Sequence, residues 1–386
     1  MRDIWNIIRR EIRIWRKRPL YIIASVGVLL FNAIFYLTLM RDGLPKDLPI
    51  GVVDLDQSST SRSFCQQLDA TQLGQVIYYD DLHLARRDME TGRLTSFLVI
   101  PEHFNADIQA SRQPHIGYYV NSLYFVGGAL AYKDILTMVN LTNGAVQRQF
   151  YRARGMNERE IRARIQPIVL DQHQIGNPAT NYGVYLNGVL LPGVLEMIVI
   201  LITIYSVGAE LKYGTSRHLL RTAGGSMDKA MLGKLLPCTL LFTLMGIFME
   251  LLLFHWLQYP IRGSLWWMFL DVLLLVAASE AMGLFIIGLF PVLRLAISVG
   301  AIISVLGFSL AGFSLPVEAM PPYVQGFSAI FPLRHYYLFH VQETIFGSGM
   351  AGWWKEVVHL LLFLFLPPLV TGRLERAYIR QDYERD

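Results

Sequence analysis

The stretch 19–40, PLYIIASVGVLLFNAIFYLTLM, carries no charged residue along its whole length. A helix that crosses a bilayer needs roughly 20 consecutive apolar residues, so this segment reads as a membrane span. It follows a basic start (Arg2, Arg9, Arg10, Arg13, Arg16, Lys17, Arg18) and has no small-x-small cleavage site, which makes it a retained signal anchor. Residues 41–182, which come next, are mostly polar, and the apolar blocks resume only beyond them as a cluster of five. One span, then a soluble module, then a bundle is the layout that decides the fold.

Working outward, six spans emerge at 19–40, 184–208, 231–257, 265–290, 295–314 and 355–372, with Trp353 and Trp354 read as an interfacial anchor before the last. Lysine and arginine orient them. Between the second and third spans stand Lys212, Arg217, Arg221, Lys229 and Lys234, and after the last come Arg373, Arg376, Arg380 and Arg385. The loop between spans three and four offers only Arg262, and segment 315–354 only Arg334. An even number of spans puts every basic segment on one side, which the positive-inside rule makes the cytoplasm. Both termini are then cytoplasmic, the insert is extracytoplasmic, and residues 373–386 form a cytoplasmic tail. In residues 1–18 the apolar positions Ile4, Ile7, Ile8, Ile12 and Trp15 recur at helical spacing among arginines, which describes an amphipathic helix on the membrane surface.

Bulk properties agree. A chain that is 53% hydrophobic and 17% charged, with mean hydropathy +0.37, is too apolar for a soluble protein of this length. Cys65 lies in the insert and Cys238 in a span, so neither a disulfide nor a thiol metal cluster is expected.

The insert alternates strands with helices: strands at 49–55, 75–79, 96–100 and 116–120, helices at 58–68, 82–91 and 102–110. That order argues a small α/β sheet domain. A long helix over 127–154 and an amphipathic one over 157–168 read as a helical stalk. Asp54 and Asp56 invite a metal or phosphate reading, but Asp56-Gln-Ser-Ser is a helix-start signal, and capping is preferred. His83, His103, His115 and His173 show no ligand spacing.

No catalytic constellation stands out. The nearest imitation of a phosphate loop, Gly225 to Lys234, has Leu235 where a hydroxyl is needed and opens a span instead of following a strand. Glu196, Glu250, Asp271 and Glu280 fall within or near the edges of spans, where charge is costly. Structural pairing in a bundle or at a subunit interface is preferred over a proton relay, and no basic residue deep in the spans is expected to pair with them.

Two segments carry a family resemblance. Glu210, Gly214, Thr215, Leu219 and Leu220 fit an E-x-x-x-G-T-x-x-x-L-L pattern in the loop 209–224. Pro316-Val-Glu318-Ala-Met-Pro321, followed by Phe331-Pro332-Leu333, fits a P-x-E-x-M-P … P-L hairpin over 315–354, where three prolines must break helix. With VVDLDQSS and FLVIPEHF in the insert, the chain resembles the ABC-2 type (type V) exporter permeases that have a large extracytoplasmic domain. Ser216, His218 and Ala223 depart from the commoner forms of the loop.

The resemblance implies an α-helical polytopic membrane protein with six transmembrane helices, a bundle over 183–372, and an inserted α/β domain with its stalk over 41–182. It implies an inner-membrane transport subunit that is not itself an enzyme and binds no cofactor. ATP and Mg would sit on a partner ABC ATPase that the 209–224 helix docks into, and the 315–354 segment would form a re-entrant hairpin. A second permease subunit, identical or paralogous, is implied, and the cargo would be an amphiphilic drug, lipid or small peptide. A periplasmic adaptor is a further candidate partner; nucleic acid is not. The alternatives are a receptor or scaffold that senses a ligand through the insert, and a proton-coupled secondary transporter.

Overall fold

The computed structural model describes residues 2–44, 46–71, 74–110, 112–122, 125–171 and 173–381. They divide into two compact units: residues 42–173, and the chain on either side of them. Helices α1 (Arg2–Lys17) and α2 (Pro19–Leu39) open the flanking unit.

Within residues 42–173, β1 (Leu48–Asp54), α3 (Ser59–Asp69), β2 (Gly74–Tyr78), α4 (Leu82–Glu90), β3 (Ser96–Ile100), α5 (Phe104–Gln109) and β4 (Gly117–Val120) follow in order. The strand order is β2-β1-β3-β4. β1 is parallel to β2 and β3, the neighbours reached through α3 and α4, and β3 is antiparallel to β4. β1 is central and buried over residues 50–53, which is why it reads as a nearly unbroken apolar run. Alternation sends Ile50 and Val52, with Leu98 and Ile100, to one face against Phe64 and Leu68 of α3 and Ala131 and Ile135 of α6 (Phe125–Ala153). Val53 and Phe97 face the other way, against Ala85 of α4 and Leu94. Truncating Leu98 to alanine is expected to cost about 2–5 kcal/mol, seen as lost amide-exchange protection across β1 and β3. Undiminished protection would remove Leu98 from the core.

Short polar side chains start the helices, as the sequence leads one to expect. Ser58 Oγ accepts from Ser61 N at 3.1 Å, and Asp81 and Asn157 cap α4 and α7 (Glu158–Ile165) in the same way. Asp54 organises the turn after β1, accepting from Asp56 N, Gln57 N and Ser61 Oγ. Asp56 caps a different helix from the one next to it, taking Asn105 N of α5 at 3.1 Å. α7 stops at Ile165, short of the expected 168, because Pro167 forces Gln166 out of helical geometry. Burial pushes the Cys65 thiol up to about 11, and Cys238 is buried too. A membrane-impermeant maleimide is therefore expected to label neither cysteine before unfolding; labelling of native Cys65 at neutral pH would contradict its burial.

The flanking unit continues with α8 (Tyr182–Lys212), α9 (Ser216–Thr222), α10 (Met227–Trp256), α11 (Leu265–Leu289), α12 (Leu293–Ser309), α13 (Pro322–Ser328), α14 (Pro332–Val341), α15 (Met350–Phe363) and α16 (Leu366–Arg380). Among the described residues five helices are long and apolar enough to cross a membrane: α2, α8, α10, α11 and the run Met350–Arg380. α12, expected to reach residue 314, ends at Ser309 with 17 residues, and the chain bends away through Gly312 at φ +100°. α16 continues past residue 372 to Arg380 because Val370, Leu374 and Tyr378 make one buried stripe. Trp353 is not an interfacial anchor. It is 2% exposed, stacks on Phe339 at 4.3 Å and donates to Glu343 Oε2 at 2.8 Å, while Trp354 remains half exposed.

The helices pack closely where side chains are absent. A Cβ on Gly246 would fall 2.4 Å from Val272 Cγ1, so α10 and α11 meet there only because it is glycine. A Cβ on Gly233 would fall 2.8 Å from Ile7 Cβ and 3.2 Å from Ile4 O, which lets α1 lie directly against α10.

Candidate functional site

Beside that contact, α1, α8 and α10 each place charged side chains in one buried cluster. α1 contributes Arg10 and Glu11, the end of α8 contributes Glu210, and α10 contributes Lys234. The Arg10 guanidinium grips both oxygens of Glu210 at 2.8 Å and reaches Glu11 Oε1 at 2.6 Å. Lys234 Nζ lies 2.9 Å from both Glu11 Oε2 and Glu210 Oε1. Thr215 Oγ1 donates to the remaining lone pair on Glu210 Oε2. Two cations meet two carboxylates, so the cluster is electroneutral, with Glu11 at 0% exposure and Lys234 at 1%. Burial works against the charge on Arg10, but Glu210 and Glu11 outweigh it and hold the guanidinium above its ordinary range.

The cluster supports the turn that follows α8. Gly214 takes φ +67°, a conformation open to glycine at little cost, and reverses the chain into α9. Leu219 is fully buried beneath α9, Leu220 is half-buried, and Thr215 is exposed. The far end of α16 is tied to the same turn: Ser216 Oγ donates to Tyr378 O at 2.9 Å, Arg217 Nε to Ile379 O at 2.7 Å, and Gln381 Nε2 to Gly214 O at 2.9 Å. Tyr378 Oη in turn donates to Val207 O of α8 at 2.8 Å. α9 presents His218, Arg221 and Thr222 outward, over a notch of about 410 Å³ lined by Arg217, Leu220, Arg221, Gly224, Gly225 and Ile379.

The structure thus gathers Glu210, Gly214, Thr215, Leu219 and Leu220 in one place, but Glu210 and Leu219 face inward. The sequence reading missed Arg10, Glu11 and Lys234 as members of the site. Lys234 lies two turns into α10 and pairs with Glu210 and Glu11, not with Glu196, Glu250, Asp271 or Glu280. A signal for Glu11 existed: it falls on the apolar stripe Ile4, Ile7, Ile8, Trp15, where an acid should not be exposed to lipid.

Those four carboxylates are dispersed. Glu250 Oε1 accepts from Tyr336 Oη at 2.7 Å beside His340, and Glu280 Oε2 accepts from Thr239 Oγ1 at 2.6 Å. Both oxygens of Asp271 and one of Glu196 lack a hydrogen-bond partner among the described residues. In the 315–354 segment Pro316, Glu318 and Pro321 are exposed, while Pro332 is buried at the start of α14. His335, Glu356 and His359 come close enough together to suggest a metal site. Their geometry opposes it. The two rings stack face to face at 4.5 Å, so their in-plane lone pairs do not converge, and both His335 nitrogens are engaged, by Glu356 Oε2 at 2.7 Å and Ala329 O at 2.9 Å.

Comparison with known proteins gives a family and relatives. The profile described as ABC-2 family transporter protein matches residues 20–371. The inner membrane transport permease YhhJ of Escherichia coli (strain K12) is 26% identical over 320 residues, covering 81% of this chain and 81% of the relative. The YhhJ protein of Shigella flexneri matches to the same extent.

Proposed function

The chain belongs to the ABC-2 transporter family, and from that premise we propose that it is the membrane-spanning permease subunit of an ATP-driven exporter in an inner membrane. Its cargo is an amphiphilic drug, lipid or small peptide, and ATP and Mg act on a separate ABC ATPase. On this reading α12 is a sixth, short span, both termini are cytoplasmic, residues 42–173 are an extracytoplasmic module, and α13 and α14 form the re-entrant hairpin. The faces of α2 (Phe31, Ile34, Leu39) and α12 (Ile302, Val305) are exposed and apolar, as lipid contact requires, and a second permease subunit would pack on the same faces.

The observation that carries the reading is the electroneutral cluster under α9. A helix meant to transmit force needs a stiff footing: α9 is bonded directly to α16, Thr215 at its start donates to Glu210 of α8, and Glu210 is held in turn by Arg10 of α1 and Lys234 of α10. A push on the exposed face of α9 would pass into α8 and α10 rather than be absorbed by a loose loop. The outward notch beside Arg221 gives an ATPase subunit a place to insert a side chain. Purification of the intact chain from its own membranes is expected to retain an ABC ATPase, and nucleotide is expected to change the protease sensitivity of the complex. A complex that responds to no nucleotide overturns the exporter reading.

A further inference from the structure

α10, α11 and α16 frame a groove of about 410 Å³ whose walls include Leu235, Leu236, Ala281, Leu284, Val370 and Leu374. Two acids line it, Asp228 and Glu280, and none of its described lining residues is a lysine, arginine or histidine. Glu280 is 6% exposed; its Oε2 holds the Thr239 hydroxyl, and its Oε1 has no hydrogen-bond donor among the described residues. A carboxylate within a membrane helix normally faces a countercharge or a watery path. A single hydroxyl supplies neither.

We propose that this groove binds a monovalent organic cation with an apolar body, the charge set against Glu280 and the body along the leucine walls. The volume fits a small molecule, within the roughly 300–1,000 Å³ of such sites, and is too small for a polymer. The last torsion of a glutamate is broad and two-fold, so the carboxylate turns an oxygen toward the groove without moving its helix. Exposed Asp228 stands at one end, roughly 16 Å along α10 from Thr239 at a rise of about 1.5 Å per residue, and its charge favours a cation entering from there. In the orientation proposed above that end faces the cytoplasmic leaflet. The binding itself does not rest on that orientation or on an ATPase.

The test uses the full chain in phosphatidylcholine nanodiscs with radiolabelled tetraphenylphosphonium, empty discs being subtracted. Triphenylphosphine oxide, an uncharged aryl phosphorus compound of similar shape, is the competitor. Saturable binding that weakens at least tenfold in Glu280→Gln, and that triphenylphosphine oxide does not displace, is the expected result. Gln keeps an acceptor for Thr239, and an unchanged thermal unfolding midpoint checks that the fold survives. Ala277→Leu keeps the carboxylate but fills the groove; it is also expected to abolish binding, and it decides the matter if Glu280→Gln does not fold. Absence of saturable binding by the wild type, equal binding by the variants, or displacement by the phosphine oxide as effective as by unlabelled tetraphenylphosphonium would overturn the proposal. Equal binding by Glu280→Gln would leave the exporter reading untouched, because that reading is tested by the nucleotide response.

Discussion

Lys234→Met is expected to destabilise the protein by about 3–5 kcal/mol, the range for breaking a buried ion pair by removing one partner. The loss of one attraction is the smaller part. Glu11 and Glu210 would then share a single cation, Arg10, and the cluster would carry a net negative charge with almost no access to water. Glu11→Gln should cost a similar amount for the opposite reason, leaving a surplus positive charge. The double variant restores neutrality and keeps the bidentate Arg10–Glu210 pair, so it should be more stable than the sum of the two losses by well over 1 kcal/mol. Thermal unfolding in nanodiscs measures all four proteins. Strictly additive losses would mean that the four charges do not act as one unit.

The second large effect concerns α9. Arg221→Glu changes only the exposed face, and the reversal is expected to lower ATPase retained by the purified complex at least tenfold, which is roughly 1.4 kcal/mol of affinity, with no shift in unfolding. Glu210→Ala and Leu219→Ala act from the buried side. These should leave the ATPase attached yet uncouple hydrolysis from transport, because the footing of α9 yields before it transmits. Wild-type coupling in both buried variants would remove the transmission role, and full ATPase retention in Arg221→Glu would remove the docking face.

Much of the architecture was legible because it rests on periodicity. The nearly unbroken apolar run of β1, the helix starts near Ser58 and Asn157, and the long apolar helices follow from local rules that hold before tertiary contacts form. The errors arose where a partner changes the meaning of a residue. Trp353 looks interfacial until Glu343 takes its indole N–H and Phe339 its ring face. The helix over 366–380 outruns the apolar stretch because Val370, Leu374 and Tyr378 find a surface. At the site, Glu210, Gly214 and Thr215 were picked out by pattern, but the direction in which Glu210 points depends on Arg10 and Lys234, which lie 200 and 24 residues away. Charges counted only for their side of the membrane conceal a residue such as Lys234, which sits just inside.

The cluster also has a timetable. Arg10 and Glu11 leave the ribosome 223 residues before Lys234 can meet Glu11, an interval of roughly 10–45 s at about 5–20 residues per second. In the folded protein their side chains lie 2.6 Å apart, and the two charges sum to zero. Glu210 then brings a second negative charge, so the four-residue set stays one positive charge short until Lys234 follows 24 residues later, and neutrality belongs only to the complete cluster.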